Sequence, residues 1–269
     1  MGCQRGVTSE VPGYIAQVEQ LQAWKVDDAH VIVDVRPADE FAAGHVPGAV
    51  NVEIKALRAE VDGVPEQLAP RAQVEAALAG AGVDVGDQIF VIDADAGPPA
   101  ARLVWTLQYF GHDPGHVRVL DGGWQAWVTR GEPQTTEVKT PTRGTAALGA
   151  EQPGHRVDAA WVQAHLGDPT VMLIDVRSDE EWAAGRIPGA RHIPWQQARE
   201  EDGRIKDVVA LELLYSHAMS TPTVAVYCKS GMRASVTWLV LRMIGHPDVR
   251  VYDGSWLEWS ARADLPQEK

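Results

Sequence analysis

The segment that decides the fold is Gly44-His45-Val46-Pro47-Gly48-Ala49, because it recurs as Gly185-Arg186-Ile187-Pro188-Gly189-Ala190. The two copies are 141 residues apart (185 − 44), and the same distance separates Asp34-Val35-Arg36 from Asp175-Val176-Arg177. Two further pairs keep the order at slightly shorter distances: Phe110-Gly111-His112 with Ile244-Gly245-His246, and Asp121-Gly122-Gly123-Trp124 with Asp253-Gly254-Ser255-Trp256. Four landmarks in one order indicate a duplicated domain with small changes in loop length.

Each copy alternates short β-branched runs with segments of helical periodicity. The predicted strands are 31–35, 89–92 and 117–120 in the first copy, and 171–176, 223–227 and 249–252 in the second. The predicted helices are 72–78, 101–110, 211–219 and 234–244. Apolar strands that each precede a helix predict an α/β fold, with helices on both faces of a parallel sheet in each copy.

The domain limits follow from the repeat and from the composition between its copies. We expect a first domain at residues 10–132 and a second at 155–265. Residues 133–154 contain prolines and threonines without periodicity, which is typical of a linker.

Composition narrows the class of protein. The 269 residues are 45% hydrophobic and 23% charged, which excludes a disordered, collagenous or coiled-coil chain. Lys and Arg number 24 against 37 Asp and Glu, giving a net charge of −13. Such a field repels nucleic acid and anionic membrane surfaces, so we expect neither as a partner.

The amino-terminal segment contains no clear localisation signal. Residues 1–10 lack the apolar run of a signal peptide, and the sequence has no apolar stretch long enough to span a membrane. We therefore expect a cytoplasmic protein. The alternative is the bacterial periplasm or cell envelope, if Gly2-Cys3 is the end of a trimmed lipobox.

The chemistry is expected at Cys228-Lys229-Ser230-Gly231-Met232-Arg233, which directly follows a predicted strand and precedes a predicted helix. Nucleophiles and ligands of parallel α/β folds lie at the carboxyl ends of strands. A short loop that enters a helix directs several backbone N–H groups at one point and can bind an anion there. With Lys229 and Arg233 nearby, Cys228 is expected to react as a thiolate.

Together these motifs resemble the tandem-domain rhodaneses, the thiosulfate and 3-mercaptopyruvate sulfurtransferases. The resemblance covers nearly the whole chain and includes the final Tyr252-Asp253-Gly254-Ser255-Trp256 with Glu258 and Trp259. It implies a catalytic second domain, an inactive first domain and a persulfide intermediate on Cys228. The candidate substrate-binding residues are Lys229, Ser230, Gly231, Met232, Arg233 and Ser255, and the supporting residues are Asp175 and Arg177.

The residues themselves agree with such a mechanism. A Cys228 thiolate would attack the outer sulfur of a small anionic donor such as thiosulfate, and cyanide or a thiol would then take that sulfur. A non-enzymatic relay that passes sulfur to a protein partner is the alternative. This chemistry needs no metal or organic cofactor, and no His/Cys spacing suggests a zinc site.

Loop length and charge discriminate among related activities. Cysteine phosphatases need Cys-x5-Arg, in which five residues separate the cysteine from the arginine. Here only four residues separate Cys228 from Arg233, and Ala234 lies at the position of the phosphatase arginine. The two loop cations favour thiosulfate, a dianion. Ser230-Gly231 resembles instead the centre of mercaptopyruvate enzymes, although Glu181 lies where the animal members carry a substrate-binding arginine.

Two contacts are expected around the loop. Arg177 and Glu181 are predicted to form a structural ion pair that caps the next turn. Ser255 replaces a glycine of the first copy, and the resemblance places it near the nucleophile, where its hydroxyl could donate to the persulfide.

The first copy is expected to be chemically silent and to act as structural support. An alignment at an offset of 134 places Ala94 against Cys228 (228 − 94), Asp95 against Lys229 and Pro99 against Arg233. The loop then lacks a nucleophile, Asp93 and Asp95 make its mouth negative, and its prolines remove amide donors.

Overall fold

The computed structural model describes residues 13–24, 30–84, 86–138, 144–145 and 148–269. Gly2, Cys3 and residues 10–12 of the predicted first domain lie outside this range, as does part of the predicted linker. Within the described residues the chain forms two five-stranded sheets and a two-stranded hairpin. No helix in this part of the chain is long and apolar enough to cross a membrane.

The first domain contains the hairpin and one of the large sheets. Its strands are β1 (Ile15–Ala16), β2 (His30–Asp34), β3 (Val50–Asn51), β4 (Arg58–Val61), β5 (Val64–Leu68), β6 (Gln88–Ile92) and β7 (Val117–Leu120). Its α-helices are α1 (Val18–Gln22), α2 (Ala38–Ala43), α3 (Arg71–Gly80), α4 (Pro98–Tyr109) and α5 (Gly123–Thr129).

The second domain repeats this order without the long hairpin. Its strands are β8 (Arg156–Val157), β9 (Val171–Asp175), β10 (Arg191–His192), β11 (Thr223–Tyr227) and β12 (Val249–Tyr252). Its α-helices are α6 (Ala159–Ala164), α7 (Asp179–Ala184), α8 (Val208–Leu214), α9 (Ser216–Met219), α10 (Met232–Met243) and α11 (Ser255–Ala261).

The two large sheets have the same topology. The strand orders are β1-β7-β6-β2-β3 and β8-β12-β11-β9-β10, and all neighbouring strands are parallel. The central strands are buried on both faces, and Val33, Val91, Ile174 and Val226 are each 0% exposed. The predicted tandem α/β domains, each with a parallel sheet between helices, are therefore confirmed.

The predicted elements also agree with the observed ones in detail. Each predicted strand is present within one residue at either end. The helix predicted at 211–219 is two helices, α8 and α9, because the backbone of the buried Tyr215 leaves helical values (φ −102°, ψ 19°) between them. Helix boundaries set by one backbone torsion leave no signal in hydrophobic periodicity.

Strand register places the predicted catalytic loop. Tyr227 at the end of β11 pairs with Asp175 at the end of β9. Because parallel strands finish at one edge of the sheet, Cys228 begins its loop beside the segment that follows Asp175. This edge is where α/β folds bind ligands.

The two domains share one hydrophobic core. Helix α4 of the first domain packs against α10 of the second, and the fully buried Trp105 and Trp238 belong to the same apolar cluster. This arrangement places the amino-terminal end of α10, where the loop of Cys228 enters it, next to the first domain.

A buried ion pair crosses the same interface. Nη2 of Arg102 on α4 lies 2.6 Å from Oδ1 of Asp253, and the two side chains are 0% and 1% exposed. The other oxygen, Oδ2, accepts a hydrogen bond from the backbone N–H of Leu68 at 2.8 Å. Both oxygens of Asp253 are thus held by the first domain.

Arg102→Ala is expected to destabilise the protein by about 3–5 kcal/mol, because it leaves the Asp253 charge buried without its main partner. The free energy of unfolding in urea measures this effect. Arg156→Ala is the matched control: Arg156 Nη2 lies 3.3 Å from Oδ2 of the same carboxylate, but its side chain is 29% exposed. Its loss should cost less than about 1 kcal/mol. Equal losses for the two variants would contradict the importance of burial.

Candidate active site

The thiol of Cys228 lies at the junction of strand β11 and helix α10. Cys228 is 1% exposed, and only Lys229, Ser230 and Gly231 separate it from the first residue of α10. The first N–H groups of a helix have no acceptor within that helix, so they can bind an anion beside the sulfur.

Gly231 is required by the turn into α10. Its φ of 76° is in the left-handed region, and a Cβ there would lie 2.6 Å from Oδ1 of Asp253 and 2.9 Å from Nη1 of Arg102. The loop therefore packs directly on the interdomain ion pair, and any larger residue would displace it.

Ser255 lies beneath the loop and fixes its backbone. Its Oγ accepts hydrogen bonds from the N–H groups of Cys228 at 3.2 Å and Gly231 at 3.0 Å. The same hydroxyl donates to the Tyr252 carbonyl at 2.7 Å. A hydroxyl has one proton, so this geometry gives Ser255 a supporting position in place of the predicted donation to the persulfide.

Helix α11 braces the loop from the same side. The N–H of Trp256 donates to the Cys228 carbonyl, and that of Leu257 donates to the Lys229 carbonyl, both at 3.0 Å. With Ser255, three consecutive residues hold the loop. They come after β12, the neighbour of β11 in the sheet.

Arg233 is bound by Glu181, the carboxylate that the sequence analysis had paired with Arg177. Its Nη1 and Nη2 lie 2.6 and 2.8 Å from the two oxygens of Glu181. These bonds hold the pKa of Glu181 at about 2. They also raise the pKa of Arg233, as do the charge of Cys228 and a hydrogen bond with it. The predicted Arg177–Glu181 pair is therefore wrong, because Arg233 on α10 reaches Glu181 instead.

Arg177 pairs with Asp175, its near neighbour at the end of β9. Nε and Nη2 of Arg177 donate to the carboxylate of Asp175, with Nη2 at 2.6 Å, and both residues are buried. Nη2 also donates to the Gly185 carbonyl at 2.6 Å. The guanidinium lies 4.6 Å from the ring centre of Trp256, so the pair supports the braced side of the loop.

The remaining loop side chains differ in exposure. Lys229 is exposed, whereas Ser230 and Met232 are half-buried. The predicted site residues take three positions around Cys228. The loop residues lie beside it, and Ser255 lies beneath the loop. The Asp175–Arg177 pair contacts Trp256 of helix α11, which supports the loop. Sequence reasoning missed the contribution of the first domain, namely Arg102, which reaches Gly231.

A family model described as "Rhodanese-like domain" matches this chain at residues 17–130 and 158–262. The chain belongs to the rhodanese family. The predicted resemblance is confirmed, and the match occurs twice, once for each sheet.

Several relatives extend the similarity over most of the chain. The thiosulfate sulfurtransferase of Azotobacter vinelandii is 29% identical, over 88% of this chain and 90% of the relative. The sulfur carrier protein TtuD of Thermus thermophilus is 30% identical, over 85% and 87%. The crystal structure of SseA from Escherichia coli, described as a 3-mercaptopyruvate sulfotransferase, superposes with a TM-score of 0.82 at 26% identity, over 90% and 98%. The predicted sulfurtransferase class agrees with these names.

The first rhodanese domain has a carboxylate where the second has the thiol. The bond from Val35 N–H to the Ile92 carbonyl matches that from Val176 N–H to the Tyr227 carbonyl, which aligns Asp93 with Cys228. The predicted alignment of Ala94 with Cys228 is therefore wrong. The first loop has one more residue between strand and helix, so the offset of 134, correct for the helices, fails at the strand ends.

Asp93 fills the anion site of its own loop. Its oxygens accept hydrogen bonds from the N–H groups of Asp95 at 3.2 Å, Ala96 at 2.6 Å, Gly97 at 2.8 Å and Ala100 at 3.1 Å. Burial raises the pKa of this carboxyl to about 6, although the N–H donors oppose the shift. At neutral pH the loop of the first rhodanese domain thus holds an internal anion.

Asp93→Asn should remove a component of the pH dependence of stability. The folded-state pKa is about 6, above the ordinary 3.8, so folded wild-type protein retains a proton that the unfolded chain loses. Wild-type stability should therefore fall as pH rises from about 4 to 6, by an amount on the order of 2–3 kcal/mol, and this decline should be absent from the variant.

Urea unfolding between pH 4 and 7 measures the difference. Asp95→Asn is the matched control, because it removes a carboxylate from the same loop whose side chain is 50% exposed. Parallel stability curves for wild type and Asp93→Asn would contradict the expected titration.

Proposed function

We propose that the protein is a thiosulfate sulfurtransferase that carries sulfur as a persulfide on Cys228. The observation that carries the proposal is a buried thiol at the amino-terminal end of α10, with the guanidinium of Arg233 beside it. Burial protects a persulfide from water. The N–H groups and Arg233 supply positive potential for its negative outer sulfur.

The reaction has two half-reactions. The Cys228 thiolate attacks the outer sulfur of thiosulfate, an S–S bond forms, and the S–S bond of the donor breaks to release sulfite with its electron pair. Cyanide or a thiol then attacks the outer sulfur of the persulfide, which releases the Cys228 thiolate. The charge balances in each step, and the kinetics should be ping-pong.

The first domain supports the assignment of the loop as an anion site. There a strand–loop–helix segment with one more loop residue binds a carboxylate through four backbone N–H groups. In the second domain the residue at the corresponding position is Cys228, whose side chain can become a thiolate or a persulfide anion. The loop geometry is therefore suited to a negative group fixed at its first residue.

Charge around the loop favours thiosulfate as the donor. Lys229 and Arg233 are both cationic, and Arg233 is half-buried, where charge interactions are stronger than in water. Glu181 offsets part of this charge. Mercaptopyruvate, with a single carboxylate, is the second candidate donor because the solved SseA structure is similar and because Ser230-Gly231 occupies the centre of the loop.

The acceptor and compartment belong to the same proposal. A small thiophile such as cyanide or a thiol is proposed as acceptor, with a protein acceptor as the alternative, since one relative is named as a sulfur carrier. The cytoplasm stays a prediction.

Cys228→Ser should abolish sulfur transfer, because a hydroxyl cannot form a persulfide, while the nearly isosteric side chain should leave the fold intact. Mass spectrometry of wild type after incubation with thiosulfate should find one added sulfur on the peptide that contains Cys228. Added sulfur on Cys3, or turnover by the Cys228→Ser variant, would overturn the assignment. Sulfur taken from mercaptopyruvate but not from thiosulfate would reverse the choice of donor.

Arg233→Ala and Glu181→Gln should change the KM for thiosulfate in opposite directions. Loss of the arginine removes a half-buried cation, and we expect KM to rise about tenfold. Loss of the Glu181 charge frees the guanidinium for the donor, so KM should fall. Lys229→Ala should have a smaller effect than Arg233→Ala, because Lys229 is exposed.

Steady-state kinetics at two salt concentrations provide the check. Added salt should reduce the difference between Lys229→Ala and wild type more than it reduces the effect of Arg233→Ala. If Arg233→Ala and Glu181→Gln both raised KM equally, the ion pair would be structural and the electrostatic argument would be wrong.

A further inference from the structure

The two domains present equivalent arginines to each other. A one-turn 3-10 helix, Ile54–Leu57, precedes Arg58, and another, Trp195–Ala198, precedes Arg199. The separation is 141 residues in both cases (195 − 54 and 199 − 58), the offset of the repeat itself. Both arginines have extended backbones, with φ −128° and ψ 148° at Arg58 and φ −120° and ψ 153° at Arg199.

Arg199 shows where an arginine at this position reaches. Its Nη2 lies 3.1 Å from Oδ2 of Asp95, and it also donates to the Asp95 carbonyl. Asp95 is the third residue of the first-domain loop, counted from Asp93. An arginine of the second domain therefore binds the anion-site loop of the first domain.

Arg58 occupies the reciprocal position. Its electrostatic partners across the interface are Asp253 and Cys228, and Arg102 lies nearby and repels it. Strand β5 of the same hairpin is attached to the second domain by the bond from Leu68 N–H to Asp253. The hairpin that contains Arg58 is therefore attached to the same Asp253 on which Gly231 of the catalytic loop packs. The third residue of that loop, counted from Cys228, is Ser230.

The state of Arg58 suits an anion-binding group. Its side chain is 16% exposed, and Glu66, with which it forms an ion pair, is 48% exposed. An ion pair whose carboxylate is open to solvent is weak, so an incoming dianion can compete with Glu66 for the guanidinium. Burial is the main factor that lowers the pKa of Arg58, and the same burial strengthens its interaction with an anion inside the site.

We propose that Arg58, a residue of the inactive domain, binds the anionic sulfur donor at the mouth of the Cys228 site. The proposal rests on the proposed function only in naming the donor as an anion. It gives the first domain a direct part in donor binding, beyond that of structural support. Arg58 and Arg233 would then lie on opposite sides of the donor, one from each domain.

Alkylation of Cys228 tests the placement of the charge without any sulfur transfer. In a Cys3→Ser background, the ratio of the rates with iodoacetate, an anion, and iodoacetamide, a neutral reagent, reports the positive potential at the thiol. Arg58→Gln should lower this ratio about three- to fivefold. Arg199→Gln is the matched control, because it removes the equivalent arginine from the other loop, and its ratio should equal that of the parent.

Kinetics with thiosulfate then test donor binding. Arg58→Gln should raise the KM for thiosulfate about fivefold with a smaller change in kcat. Glu66→Gln should act in the opposite direction, lowering KM and raising the alkylation ratio, because it frees Arg58. That variant retains Arg58, so it keeps the proposal testable if Arg58→Gln does not fold.

The outcomes separate the two proposals. A lowered alkylation ratio in Arg58→Gln, with no thiosulfate turnover by the parent, would retain the role of Arg58 and reject thiosulfate as donor. An unchanged ratio and unchanged KM in Arg58→Gln would overturn the inference while leaving the persulfide mechanism intact. Equal effects of Arg58→Gln and Arg199→Gln would also overturn it, because only a general weakening of the interface affects both sites alike.

Discussion

The constraint on which both domains depend is a short strand-to-helix loop whose first side chain is an anion or can become one. In the first domain this group is the Asp93 carboxylate, which four N–H groups bind. In the second it is the sulfur of Cys228. A carboxylate bound in this way fills the loop and provides no nucleophilic sulfur. A thiolate gives a site that can accept a sulfur atom and release it, because the bonds to its outer sulfur are made and broken at each turnover.

A loop this short needs support from other elements if it is to keep its conformation while the sulfur of Cys228 gains and loses a second sulfur atom. Ser255 fixes two of its N–H groups, and helix α11 fixes two of its carbonyls. Asp253, two residues before Ser255, connects this brace to Arg102 and Leu68 of the first domain. The first domain is thereby joined to the support of the Cys228 loop through a buried ion pair, although its own loop has no cysteine.

The sequence predicted the parts of this arrangement that depend on residue type and order. The repeated motifs predicted two parallel α/β domains, and Cys228 after an apolar strand predicted the position of the thiol. Three features needed coordinates. Glu181 binds Arg233 rather than Arg177 because α7 and α10 meet only in the fold. The proton of Ser255 is directed at Tyr252, which depends on its backbone torsions. One extra loop residue moved Asp93, not Ala94, into register with Cys228.

The balance of charge near the site follows from the same constraint. The chain has a net charge of −13, which repels small anions from most of its surface. Each arginine that the structure places around the loop already has a carboxylate partner: Arg58 with Glu66, Arg102 with Asp253, Arg177 with Asp175, and Arg233 with Glu181. The pairs of Arg102 and Arg177 are buried and fixed, whereas the carboxylates of the other two pairs are partly open to solvent. If Arg58 and Arg233 bind the donor as proposed, the donor would replace a carboxylate at each of them, and no unpaired cation would have to be buried beforehand.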